Sequence, residues 1–270
     1  MSKISIVTAF FDIGRGEWTP DKGLPHYLER SNDVYIERFS YLLNLDTDIT
    51  VYTSADLVDR LTKLSFGKLA KTTIIAINLD EFSDIRMHIS KIQESDSFKH
   101  NISSYQIKNP EYWNPDYVLV TNLKAYFVDL SIKNKLPEND IVAWIDFGYC
   151  RSEQNIPKSN SWQYNFDEDK IHLFSYKPYD DKNVLEIIAE NDVYILGAKV
   201  VAHKSMWPIM AQLMKSSQDK LFENNFVDDD QGLWLLSSLL EPNLFELHTI
   251  PDHQFGYDPF VLFNEFNDTV

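Results

Sequence analysis

Hydrophobic and polar residues follow each other in blocks that predict strands and helices in turn. β-Branched and aromatic residues cluster from Lys3 to Phe11, which predicts a buried first strand. Apolar residues at helical spacing follow over 28–43, and a second helix is predicted over 56–64. Strands are predicted at Asp48 to Thr53 and at Thr72 to Ile77. This alternation is typical of a parallel sheet flanked by helices.

The middle and the second half of the chain continue the pattern with a change of order. Two helices are predicted at residues 82–94 and 117–133, separated by a long loop and followed by a strand at Ile141 to Ile145. Beyond this strand, the sequence predicts strands at 170–176, 193–201 and 245–250 and helices at 205–221 and 230–240. Since no repeat or Gly/Ser-rich linker interrupts the chain, we expect an α/β single domain with a mostly parallel, Rossmann-like central sheet.

Composition and charge argue against several classes of partner. The 270 residues carry a net charge of −16, which argues against nucleic acid, whose binding depends on neutralised phosphates, and gives no support for an anionic membrane surface. The single cysteine, Cys150, is expected as a small buried residue. No apolar stretch approaches the roughly 18 residues that span a bilayer, and the first residues do not resemble a signal peptide. We therefore expect a cytoplasmic protein without a transmembrane segment.

The strand at 141–145 is the most informative element, because it ends in a carboxylate. Asp146 follows it directly, and Gly148 and Arg151 come next. Ligands of open α/β sheets bind at the carboxyl ends of strands, where an aspartate can hold a metal ion or the hydroxyl groups of a nucleotide sugar. The alternative is an aspartate that caps the following turn.

Three consecutive carboxylates, Asp228, Asp229 and Asp230, precede an apolar helix. Helix capping accounts for one or two of them, but adjacent carboxylates repel each other. If one projects into a pocket, its pKa would rise toward that of a general base. Both interpretations stay open. Elsewhere, Arg15 between two glycines can approach a phosphate, and the late His253 is either a metal ligand or an exposed loop residue.

Four segments resemble the bacterial HtrL/YibB-like family of surface-glycan proteins: Ile6 to Gly16, Arg30 to Asn32, Asn114 to Tyr117, and Ala143 to Arg151. Members of that family occur in gene clusters for lipopolysaccharide and capsule. The order of elements also resembles a GT-A glycosyltransferase. The resemblance implies one GT-A-like domain over 1–270, with a nucleotide-sugar-binding half (1–150) and an acceptor-binding half (151–270).

The same resemblance implies roles for individual residues. The donor nucleotide sugar would be bound by Thr8, Ala9, Phe10, Arg15, Asn122, Lys124, Asp146, Gly148, Arg151 and Gly197. The acceptor would be bound by Asp228 and Gln231, with Asp229 or Asp230 as the catalytic base. Mn²⁺ or Mg²⁺ would be held by Asp146 and His253. The sequence departs from the D-x-D metal motif, because Gly148 stands where the second aspartate belongs, and the metal site is therefore poor in ligands.

The leading hypothesis is an inverting hexosyltransferase that uses a UDP-linked sugar and acts on a surface glycan such as lipopolysaccharide, O-antigen or capsule. It would work in the cytoplasm, with the inner face of the membrane as a peripheral location. The alternative is a non-catalytic glycan-binding or assembly protein, which the missing second aspartate favours. A nucleotide-dependent phosphotransferase would need a more glycine-rich loop than this chain of eight glycines offers. The leading hypothesis requires Asp146 and residues 228–230 to face one cleft, with the loop of Arg15 at its rim.

Overall fold

The computed structural model describes residues 3–250 together with residues 260, 263 and 264. Within them, strands alternate with helices through the first half, as the hydrophobic pattern predicts. The strands are β1 (Ile4–Phe10), β2 (Asp48–Thr53), β3 (Lys71–Ala76), β4 (Ile141–Ile145), β5 (Ile171–Ser175), β6 (Ile195–His203) and β7 (Phe245–Thr249). The helices are α1 (Asn32–Leu42), α2 (Ala55–Ser65), α3 (Ser83–Glu94), α4 (Asp96–Asn101), α5 (Pro115–Asn122), α6 (Lys124–Lys133), α7 (Val184–Glu190), α8 (Trp207–Glu223) and α9 (Asp230–Leu240).

All the described strands belong to one sheet in the order β3-β2-β1-β4-β6-β5-β7. The pairs β1–β2, β2–β3, β1–β4 and β5–β7 are parallel. Strand β6 runs antiparallel to both of its neighbours, β4 and β5. The predicted α/β fold with a mostly parallel sheet flanked by helices is confirmed.

The sheet is covered on both faces, and this explains the nearly continuous apolar runs of β1 and β4. Side chains alternate along a strand. Ile6 of β1 therefore packs into one hydrophobic core and Val7 into the other, and both are fully buried. In β4, Trp144 and Ile145 divide between the two cores in the same way. The chain leaves the buried sheet at the carboxyl end of β4, where Asp146 follows directly.

One predicted helix is divided in two. The apolar pattern predicts a continuous helix over 117–133, whereas α5 and α6 are separated at Leu123. The Thr121 hydroxyl lies 3.0 Å from the carbonyl oxygens of both Tyr117 and Val118 and donates back into its own helix, a contact that bends helices. The division places Lys124 at the start of α6, facing the sheet edge.

Two short helices, α4 and α7, were not predicted, because six or seven residues carry too little periodicity to be recognised. In the part of the chain described above, no helix combines the length and the apolar character needed to cross a membrane.

Candidate active site

A cleft of about 750 Å³ opens where the carboxyl ends of β1 and β4 meet the amino end of β6. The reversed direction of β6 brings its first residues beside the residues that follow β4. The backbone N–H of Asp146 accordingly donates to the carbonyl oxygen of Ala198 at 2.9 Å. The cleft volume lies within the range of small-molecule sites. Its position is the one predicted for a ligand of an open α/β sheet.

Lys124 lies at the centre of the polar contacts in this cleft. Its Nζ is 2.8 Å from Oδ1 of Asp146 and 3.0 Å from Oδ2 of Asp230. The same ammonium group donates to the carbonyl oxygen of Gly197 at 2.9 Å. Its side chain is only 7% exposed. Burial by itself would lower the pKa of Lys124, but Asp146 and Asp230 outweigh burial and raise it. Lys124 is therefore a fixed positive charge that links β6, α9 and the loop after β4.

Asp146 is held from two sides and still faces the cleft. Besides Lys124, Oδ1 of Asp146 accepts a hydrogen bond of 2.8 Å from the indole N–H of Trp144. The Asp146 side chain remains 39% exposed. Its orientation is thus fixed while part of the carboxylate is accessible to a ligand.

The acidic run before α9 combines helix capping with a place in the cleft. Asp229 caps α9 by accepting the backbone N–H of Gln231 at 2.9 Å, and its other oxygen lies 3.4 Å from the Tyr117 hydroxyl. Oδ2 of Asp230 accepts from the indole of Trp234 at 2.8 Å as well as from Lys124. Both aspartates line the cleft. The run therefore caps the helix and also places two carboxylates in the cleft, where the role of a base stays a prediction.

Glu111 joins Asp229 and Asp230, and we call these three residues the acidic group. Glu111 lines the cleft although it is only 5% exposed, and the Asn191 amide donates to its Oε1 at 3.0 Å. Burial, followed by the charge of Asp229, raises the pKa of Glu111 to about 8. Burial raises the pKa of Asp229 as well. A proton on one carboxyl therefore stabilises the other, which is a suitable arrangement for acid–base chemistry.

Four arginines line the same cleft, and we call them the arginine group: Arg15, Arg30, Arg38 and Arg151. None of them forms an ion pair within the described residues, whereas the other two arginines of the chain, Arg60 and Arg86, pair with surface aspartates. Burial lowers the pKa of Arg38, and the nearby charges of Arg30 and Arg151 lower it further. This excess of positive charge in a protein of net charge −16 is the arrangement expected for an anionic ligand.

Arg15 is held in place by aromatic residues. Its guanidinium lies 5.1 Å from the ring centre of Trp18 and 5.9 Å from that of Tyr117, and Nη1 donates to the Tyr35 hydroxyl. Its Nε is buried without a hydrogen-bond partner among the described residues. Buried donors are nearly always satisfied, so this N–H is a donor available to a ligand.

Two glycines of the cleft allow another side chain to pack closely against the backbone. A Cβ atom on Gly197 would lie 2.2 Å from Oδ2 of Asp230, so Asp230 can reach Lys124 only because residue 197 has no side chain. A Cβ atom on Gly148 would lie 2.6 Å from the ring of Tyr35. The Tyr35 ring therefore occupies the space that the side chain of a second D-x-D aspartate at residue 148 would need.

Most of the predicted site residues come together. Those that line the cleft are Ala9, Phe10, Arg15, Lys124, Asp146, Gly148, Arg151, Gly197, Asp229, Asp230 and Gln231. The sequence predicts that Asp146 and the whole run 228–230 face one cleft with the loop of Arg15; Asp146, Asp229, Asp230 and Arg15 line that cleft, whereas Asp228 does not. Sequence reasoning missed Arg38 and Glu111, because nothing in their local pattern distinguishes them from solvated charges. It assigned no role to Arg30, although Arg30 lies in a segment that carries the family resemblance.

Three other predicted residues lie elsewhere, and a fourth cannot be placed because it is outside the described residues. Thr8 is fully buried within β1, and Oδ1 of Asn122 is buried in α5, so neither belongs to the lining of the cleft. Asp228 lines a small neighbouring pocket, where its carboxylate packs against Gly232. The strand pleat turns Thr8 and the helix periodicity turns Asn122 away from the ligand space, whereas Asp228 lies in the loop before α9. His253 lies outside the described residues.

Within the described residues, the group with the spacing of a metal site is His172, Glu246 and His248. It lies on β5 and β7, and none of its members lines the cleft. The metal ligands predicted for the cleft are thus reduced, among the described residues, to Asp146.

The chain belongs to the family described as "Bacterial protein of unknown function (HtrL_YibB)", whose model matches residues 2–265. It is similar to Protein HtrL of Escherichia coli (strain K12), with 42% identity over 252 residues, or 92% of this chain and 88% of HtrL. The family predicted from the sequence motifs is confirmed.

Among solved structures, mouse xyloside xylosyltransferase 1 in its apo form is similar at a TM-score of 0.42 and 9% identity. The similarity covers 90% of this chain and 84% of that one.

Proposed function

We propose that the protein is a glycosyltransferase that moves a hexose from a nucleotide diphosphate sugar, with UDP as the expected nucleotide, to a bacterial surface glycan. The observation that carries the proposal is the arginine group without carboxylate partners in a cleft that also holds Asp146 and the acidic group. A nucleotide sugar needs both kinds of group, because its diphosphate is anionic and its sugar presents hydroxyl groups. The surface-glycan acceptor follows from the family resemblance.

The arginine group would bind the diphosphate. Guanidinium groups bind phosphate oxygens with two hydrogen bonds, and the unpaired Nε of Arg15 is one available donor. As the bond between the anomeric carbon and the diphosphate breaks, negative charge grows on the leaving oxygen. Fixed cations stabilise this charge more in the transition state than in the ground state. Asp146, oriented by Lys124 and Trp144, would accept hydrogen bonds from sugar hydroxyl groups.

Asp229 is the best candidate for the base. An acceptor hydroxyl attacks the anomeric carbon, and its proton must pass to a nearby carboxylate as the new C–O bond forms. Asp230 shares its Oδ2 with the ammonium of Lys124, which weakens it as a base. Asp229 has no such ion pair, and burial raises its pKa. A single base beside the acceptor corresponds to the inverting mechanism that we expect.

The proposal is tested by incubating the purified protein with a panel of nucleotide diphosphate sugars and measuring release of the nucleoside diphosphate. We expect release from one sugar nucleotide, loss of this activity in Asp146→Ala, and retention in Asp140→Ala, a surface aspartate that is paired with Lys204. Unchanged activity in Asp146→Ala would remove the centre of the proposal.

A non-catalytic glycan-binding role is the second candidate, and the observation in its favour is the ring of Tyr35 at the second D-x-D position. Thermal-shift measurements distinguish the two. Stabilisation by a nucleoside diphosphate supports the transferase, whereas stabilisation by oligosaccharide alone supports the binding protein.

A further inference from the structure

We infer that Lys124 is the resident cation of this site and that the protein binds its nucleotide without a divalent metal ion. The inference rests on the proposed function and deepens it. It concerns the prediction of Mn²⁺ or Mg²⁺, which was based on Asp146 as the first residue of a D-x-D motif. The geometry of the cleft gives three reasons for the inference.

The first reason is the position of the ammonium group. Nζ of Lys124 lies 2.8 Å from Asp146 and 3.0 Å from Asp230, so it lies between the two carboxylates as a bound cation would. A metal ion bridging the same oxygens would meet the ammonium group at close range. The ammonium group belongs to a nearly buried side chain. If it moved aside for a metal ion, Asp146 and Asp230 would lose their shared counter-charge.

The second reason is the second D-x-D position. A carboxylate at residue 148 would have to occupy the space of the Tyr35 ring, which lies 2.6 Å from the site of the missing Cβ. Tyr35 itself accepts a hydrogen bond from Arg15. The space of the absent ligand is therefore taken by a residue that positions a member of the arginine group.

The third reason is the charge on the ligand side. In metal-assisted transfer, a divalent ion neutralises the diphosphate. Here four guanidinium groups line the cleft without ion pairs among the described residues. Arg30 and Arg151 lie close enough to lower the pKa of Arg38. The arginine group thus offers a diphosphate the positive charge that a metal ion would otherwise provide, and Lys124 neutralises Asp146 and Asp230.

The test is calorimetric titration of the protein with UDP, GDP, ADP and dTDP, each in EDTA and in Mn²⁺. We expect one of them to bind with the same Kd within about twofold in both buffers. Binding that appears only with Mn²⁺ would overturn the inference and leave the proposed function standing. If no nucleotide binds in either buffer, the proposed function fails and the inference fails with it.

A second measurement isolates the ammonium group. Lys124→Ala removes it, and we expect nucleotide binding in EDTA to weaken about tenfold or more and to recover partly with ethylammonium ion. Lys215→Ala, which loses an exposed pair with Asp219, is the matched control and should not respond to the amine. Circular dichroism checks that the variants fold. If Lys124→Ala does not fold, the wild-type titration decides. Binding by a folded Lys124→Ala at wild-type strength in EDTA would contradict the role of Lys124.

Discussion

The arginine group and the acidic group line one cleft but are stabilised in opposite ways. The arginines lack ion-pair partners in the described part of the chain, and their charges repel one another. The acidic group is buried, and the protein supplies partners to it: Lys124 and Trp234 to Asp230, the α9 backbone to Asp229, and Asn191 to Glu111. The fold thus supplies partners to the acidic group, whereas the arginine group is available to a ligand.

This difference indicates which charges serve binding and which serve the architecture of the site. Removing a partner inside the acidic group should destabilise the protein, because a buried charge then has no compensation. Removing a member of the arginine group should weaken ligand binding and leave stability nearly unchanged. The following variants test this contrast, beginning with the largest expected effect.

Lys124→Met should cost about 3–5 kcal/mol of unfolding free energy, because it leaves Asp146 and Asp230 without their shared counter-charge. Urea unfolding measures this loss. Lys215→Met, which breaks an exposed pair, should cost less than about 1 kcal/mol. Equal costs for the two variants would show that the Lys124 contacts do not support the fold.

Glu111→Gln should remove part of the pH dependence of stability. The folded-state pKa of Glu111, about 8, lies above its ordinary value of 4.5. Its stabilising contribution is therefore complete below pH 4.5 and is lost as the pH rises to 8. Relative to Glu111→Gln, the wild type should lose at most about 3.5 kcal/mol between pH 5 and pH 8. Scanning calorimetry across this range measures the difference, and a constant difference would refute the raised pKa.

Gly197→Ala and Gly148→Ala compare the two glycines of the cleft against which another side chain packs closely. The added methyl at 197 meets Asp230, which Lys124 and Trp234 hold rigidly, and should cost about 1–3 kcal/mol. The methyl at 148 meets the ring of the half-buried Tyr35 at 2.6 Å, a longer contact than the 2.2 Å at 197, so we expect a smaller cost. Denaturant unfolding ranks them, and the reverse order would mean that Tyr35 is the more rigid neighbour.

Arg38→Gln should change stability by less than about 0.5 kcal/mol, because it relieves repulsion from Arg30 and Arg151. Nucleoside diphosphate binding should weaken about tenfold, the loss expected for a charged hydrogen bond. Arg60→Gln, which lies outside the cleft and pairs with Asp33, is the matched control and should bind as the wild type does. A large loss of stability in Arg38→Gln would place Arg38 among the structural charges.

Much of the fold could be predicted, because burial on both faces and helix periodicity are local properties of the sequence. The bounds of β2 and α9 agree with the prediction to the residue. The break between α5 and α6 was not predicted, since the apolar pattern of the sequence continues through Leu123, where the two helices separate. Asp146 could be found because a strand ends at it. Glu111 could not, because its loop gives no sign that it lies beside Asp229.

The sequence by itself determined which strand ends in a carboxylate, which aspartates precede α9, and to which family the chain belongs. These features depend on neighbours along the chain and on short motifs. Only the tertiary structure decided that Lys124 meets Asp230, 106 positions away, and that Arg30, Arg38 and Arg151 share one cleft. Electrostatic pairing depends on distance in space and on burial, and neither is set until the sheet brings distant segments to one edge.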